Sequence, residues 1–334
     1  MKQKLSSLLT VTCCGILIAA CNHAPSGPAD GLTSGIVTSP AHPALTYYGL
    51  AKSGDSTYPA ICVMDSDGRN QASVFVASSN GLNVAAPSWS PDGNSICFTQ
   101  CGLGVFPDSI KVVDISAGQS MSPVLKNNVR TVVGLSMPGS ISGLAGAGMT
   151  LGYAYWSSTS AFGMLAYTAT IKDKISLCVV SAMGGTPKVL NTNWASERYG
   201  YIAWSPDDSR LAFCRLDPPY GNNTIMIFNT GDWSCVDSIK VSGLVEGIDW
   251  SRKGMNKLVF ARAADFSSPY YLYYCDPKTG ATPTTNGVVG EMPSWSPDNS
   301  SIVCYNNGAS KVTSFTRLST MVDPTIKSVI VWKR

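Results

Sequence analysis

Histidine is the scarcest reactive side chain in this sequence: two among 334 residues, His23 and His42. Both stand in a Pro- and Gly-rich stretch, Asn22 to Ala44, with too little apolar surface to offset the entropy of ordering. General acid–base work near neutral pH falls most readily to histidine, and a working group must be held to within about 0.5 Å. No histidine follows residue 42, and no Gly-x-Ser-x-Gly elbow occurs. A Ser-His-Asp or Cys-His mechanism is therefore excluded, and a mechanism resting on Asp, Tyr or Lys alone stays open. The expectation is a protein that is not an enzyme and carries no cofactor.

Metal and nucleotide chemistry fare no better. Cys97 and Cys101 are the only close pair of cysteines after residue 21, with no histidine nearby to complete a tetrahedral set. The eight cysteines from Cys62 to Cys304 lie mostly in β-rich apolar runs, where they either fill the core or form disulfides whose pairing the sequence does not give. Asp65, Asp67, Asp92, Asp207 and Asp298 have the chemistry for calcium, but each sits where a tight turn wants Asp for its own backbone. The expectation is no metal. The run from Gly143 to Gly148 has the wrong glycine spacing for a phosphate loop and reads as an insertion between repeats, within extra chain from about Asn127 to Gly152.

Aromatic side chains remain as the source of function. Tyr270 to Tyr274 holds four tyrosines in a strand-like run, Pro218-Pro219-Tyr220-Gly221 is a loop, and Trp194 to Tyr201 carries Glu197, Arg198, Tyr199 and Tyr201. Exposed Tyr, Trp and Arg anchor interfaces. Arg198, Tyr199, Tyr220 and Tyr271 are the candidate binding residues. Charge excludes other partners: only 13% of residues are charged, and 24 basic against 21 acidic side chains with no basic block leave no footprint for nucleic acid.

The elements that would carry these residues are repeated. Trp89-Ser90-Pro91-Asp92-Gly93 recurs at Trp204 to Asp208 and at Trp295 to Asn299, with decayed copies from Trp250 and Trp156. Ser-Pro-Asp-Gly is a tight-turn sequence, and the flanking β-branched and aromatic runs of 4–7 residues are strands. From each Trp to the glycine of a later turn the intervals are 29, 28, 27 and 30 residues. A further unit, Leu45–Ala51 and Ala60–Asp65, lacks its Trp and brings the count to six; a closing strand over 326–333 would complete the set. Four-stranded units every ~45 residues are the signature of a β-propeller. The tryptophans are expected to pack between neighbouring sheets.

The Trp-Ser-Pro-Asp-Gly repeat, followed by a strand and an Asp-Gly turn, resembles the TolB-like six-bladed propellers. The resemblance covers about residues 45–334 and implies an all-β, six-bladed propeller with almost no helix. Similar repeats occur in propellers fused to peptidases and in uronate lyases, whose catalytic domains or metal-binding histidines are missing here. The first residues are an address. Met1 to Lys4 is a short positive segment, Leu5 to Ala20 is apolar or small, and Ile18-Ala19-Ala20-Cys21 resembles a bacterial lipobox. That implies a signal peptide over 1–20, a lipidated Cys21, a flexible tether over 21–44, and a propeller over 45–334 whose first strand begins as early as 33. Asn22 points to the outer membrane. The functional expectation is a non-catalytic envelope lipoprotein binding a protein partner, with a glycan or peptide ligand as the alternative and a histidine-independent lyase behind both.

Overall fold

The computed structural model describes residues 44–333, except 54, 67, 69–70, 79–82, 102–106, 116–128, 136–149, 172–173, 195–199, 218–221, 253, 280–283, 307–308, 315–316 and 321–329. Cys21, the signal segment, the tether and the Gly143–Gly148 run lie outside the described residues.

Every regular element among the described residues is a strand. The first blade holds β1 (Leu45–Ser53), β2 (Ser56–Met64) and β3 (Ala72–Val76). The second holds β4 (Asn83–Trp89), β5 (Ser95–Cys101), β6 (Pro107–Asp114) and β7 (Val129–Gly134). The third holds β8 (Thr150–Trp156), β9 (Met164–Ile171), β10 (Lys174–Ser181) and β11 (Lys188–Trp194). The fourth holds β12 (Ile202–Trp204), β13 (Arg210–Asp217), β14 (Asn222–Asn229) and β15 (Cys235–Ser242). The fifth holds β16 (Leu244–Trp250), β17 (Leu258–Ala263), β18 (Tyr271–Cys275) and β19 (Thr284–Val289). The sixth holds β20 (Glu291–Trp295), β21 (Ser301–Asn306), β22 (Ala309–Ser314) and β23 (Arg317–Thr320), and the chain closes with β24 (Ile330–Trp332).

These strands form six four-stranded antiparallel sheets. Five are built from four consecutive strands, and the remaining one joins the two ends of the chain in the order β24-β1-β2-β3. Leu45 pairs with Trp332 and Tyr47 with Ile330. The first strands touch one another in a closed circuit, β4 to β8, β12, β16, β20, β24 and back to β4. The architecture is an all-β propeller whose first strands surround the axis.

The β24 pairing corrects one expectation. The unit at Leu45 does not lack its tryptophan; Trp332 supplies it from the other end of the chain, at the last position of a first strand like the five others. The extra chain assigned to 127–152 is also partly blade, since β7 and the start of β8 fall within it.

The tryptophans explain the closure. Each lies in a different apolar cluster, and each cluster draws on two successive blades. Trp204 joins Ile175, Leu177 and Val179 of the third blade to Leu211 and Phe213 of the fourth. Trp332 joins Leu45, Tyr47 and Met64 to Val303 of the sixth. Trp89, Trp156, Trp250 and Trp295 do the same at the other four boundaries. All six are at most 7% exposed, so each interface is sealed by the burial of a large ring.

The turns after the tryptophans are built as expected. Ser90 Oγ donates to Asp92 Oδ1 at 2.6 Å and accepts from the Ser95 amide at 2.9 Å. Ser205 and Asp207 repeat this pattern, as do Ser296 and Asp298. The fourth turn residue has positive φ: Gly93 at 67°, Asp208 at 55° and Asn299 at 60°. It also ties its blade to the preceding one. Asp208 accepts from the amides of Ser158 and Thr159 at 2.5 and 2.7 Å, and Asn299 Oδ1 accepts from the Arg252 amide at 2.6 Å. At Gly93 a Cβ would fall 1.8 Å from the Lys333 side chain, which occupies that space and lies 5.2 Å over the Trp89 ring.

All eight cysteines from Cys62 to Cys304 are free thiols, seven buried and Cys235 exposed. Of the two open readings, core filling is the one realised, and burial pushes Cys178 and Cys275 up to about 12.

Candidate functional site at the propeller axis

The first strands are irregular at one shared place. β4, β8, β16 and β20 each carry one residue more than their partner strand, between Ala85 and Ser88, Leu151 and Ala154, Val245 and Ile248, and Glu291 and Ser294. A bulge turns successive side chains away from strict alternation, and bulges concentrate beside functional sites. Three of the four contain a positive φ, at Ala86 (49°), Gly247 (82°) and Met292 (50°).

These bulges bring together a group of five side chains from four blades. Tyr153 lies in the β8 bulge and Tyr155 two residues on, Tyr201 immediately precedes β12, Glu246 lies in the β16 bulge, and Glu291 opens β20. The Tyr153 and Tyr201 rings are 6.4 Å apart and tilted by 49°. The Tyr201 hydroxyl donates to Glu246 Oε1. All five side chains are partly buried.

Backbone geometry forces the two carboxylates together. A Cβ on Gly247 would meet Met292 Cα at 2.6 Å, so only glycine lets the β16 bulge come this close to β20. Glu246 and Glu291, the residues just before Gly247 and Met292, are thereby neighbours of like charge. Burial, and then the Glu246 charge, raise Glu291 to about 7. Burial also pushes the Tyr155 and Tyr201 phenols well above 10, helped by Tyr153 and Glu246. The phenols are thus neutral donors, and Glu291 exchanges its proton around neutrality.

One level along the same strands, a different acid is fully engaged. Asp249 Oδ2 accepts from the Trp295 amide at 2.8 Å and pairs with Arg252 Nη2 at 3.1 Å, while its Oδ1 accepts from the Trp250 amide at 2.9 Å. Arg252 Nη2 also donates to the Trp295 carbonyl at 2.9 Å. Ser88 and Ser294 occupy the same position before their tryptophans. Their hydroxyls accept from the amides of Trp156 and Trp332, both at 3.2 Å. That level is structural, a set of links from one blade to the next.

The residues singled out from sequence do not form this site. Arg198, Tyr199 and Tyr220 lie outside the described residues. Tyr271 is on β18, the third strand of its blade, 38% exposed and paired with Arg262 and Val289. Tyr201 belonged to the same aromatic stretch as Tyr199 and is the member that reaches the axis. Glu246 and Glu291 were missed, although both stand four residues before a repeat tryptophan. The repeat aspartates Asp92, Asp207 and Asp298 bind their own turn serines and backbone amides.

No protein-family model matches the chain, and no curated protein sequence does. Solved structures match by shape. TolB from Acinetobacter baumannii superposes with a TM-score of 0.65 at 16% identity, covering 87% of this chain and 66% of that one. A protein assigned as TolB from Agrobacterium tumefaciens gives 0.56 at 15% identity, covering 78% and 88%. A chain from a nidogen/laminin complex gives 0.61 at 10% identity, covering 88% and 99%. The chain spans 66% of the length of the Acinetobacter protein. At these identities the likeness is one of fold, that of a TolB-like all-β propeller.

Proposed function

We propose that the protein is a non-catalytic binding module of the cell envelope, anchored through lipid on Cys21, whose propeller engages a protein partner at its axis. The observation that carries this reading is the group formed by Tyr153, Tyr155, Tyr201, Glu246 and Glu291. Rigid first strands from four blades hold it, and it combines aromatic anchors with acceptors. Binding demands no titrating pair in register with a scissile bond; it demands preorganised aromatic and polar anchors. One structural neighbour comes from a protein–protein complex, which is compatible with the reading. The lipobox-like Ile18-Ala19-Ala20-Cys21 supports the anchor and the envelope location.

A glycan or peptide is the second reading, favoured by the tilted and partly open Tyr153–Tyr201 pair, on which a sugar face or a side chain could stack. Glu291 has the titration range of a general acid–base group, and in this reading it serves recognition rather than turnover. The test has two parts. Envelope extract and a glycan array are offered to the purified protein and to Tyr201→Ala, beside a screen of peptide, ester and oligosaccharide substrates. Capture of one envelope protein that Tyr201→Ala loses supports the module, and turnover that dies with Glu291→Gln replaces it with an enzyme. Labelled fatty acid on the wild type but not on Cys21→Ala tests the anchor.

A further inference from the structure

We draw no further inference here: the strongest candidate, the surface on the rim of the third and fourth blades where Met183 and Val236 stand exposed and Lys188 lies over the Trp233 ring, carries nothing because nothing in the structure shows what covers it.

Discussion

At the scale of single residues, the molecule separates side chains that hold blades together from side chains gathered at the axis. Trp204 belongs to the first kind. It is fully buried, its indole nitrogen donates to the Tyr155 carbonyl at 3.1 Å, and Phe162 and Trp233 meet its ring edge-on at 5.5 and 6.2 Å. Trp204→Ala should cost about 3–5 kcal/mol in denaturant unfolding, and a loss below about 1 kcal/mol would mean that the ring is not sealing the interface. Glu291 belongs to the second kind, and its stability signature has the opposite sign from an ordinary paired acid. Its folded pKa is raised from 4.5 to about 7, so its contribution is fully present below about 4.5 and is lost as pH rises through about 7. Glu291→Gln should therefore gain on the wild type between pH 5 and 8, by on the order of 1–2 kcal/mol after allowance for partial exposure. Urea unfolding at the two pH values measures it, and a gap that does not widen with pH contradicts the assignment. Five of the six tryptophans were legible in the sequence because a turn motif, sharp or decayed, follows each of them. Glu246 and Glu291 were not, because a bulge changes which way a residue faces and periodicity alone places neither at the axis. Pro87 and Pro293, two residues before Trp89 and Trp295, were the available hint, since proline inside a strand marks a bulge.

At the scale of the element, the turn does two jobs. Within itself, Asp298 is held at about 2 by the Ser296 hydroxyl and the Ser300 amide and hydroxyl, and Asp92 and Asp207 stay below their usual value because hydrogen bonds outweigh burial. Stability from these three is present above about 4 and is lost as pH falls below that, for Asp298 as it passes through about 2. Between blades, the fourth turn residue is the link. Asp208 has φ 55°, which glycine also adopts freely, so Asp208→Gly removes the bonds to Ser158 and Thr159 without straining the turn. The expected loss is about 2–4 kcal/mol in unfolding experiments, and a change under about 0.5 kcal/mol would show that the blades do not depend on the link. The Ser-Pro-Asp segment gave away the turn. The link across to the third blade could not be read, because it joins residues about fifty positions apart in chain order.

At the scale of the whole molecule, the ring is closed by its ends. β24 lays Trp332 beside β1 and against Val303 of the last blade, and Lys333 reaches over Gly93 and Trp89 of the second. The repeat made a propeller legible, but this closure was only half legible: a final strand was expected, and its tryptophan was overlooked because no Ser-Pro-Asp turn follows it. Deleting Ile330 to Arg334 should lower the melting temperature by roughly 6–10 °C in calorimetry, since a sealing ring and an inner strand go together. A shift below about 2 °C would mean that the ends do not lock the structure. A closed ring of this kind is also what makes the axis a candidate site, because it fixes the separations among the three tyrosines and two carboxylates. The most direct test of that claim is site-specific photocross-linking in cells, with p-benzoylphenylalanine in place of Tyr153 at the axis or of Met183, 83% exposed on the third blade. The account predicts one discrete cross-linked envelope partner from position 153 and none from 183, with the 153 product lost in a Glu246→Gln/Glu291→Gln background. Cross-links from 183 alone, or a 153 product indifferent to both carboxylates, would contradict it.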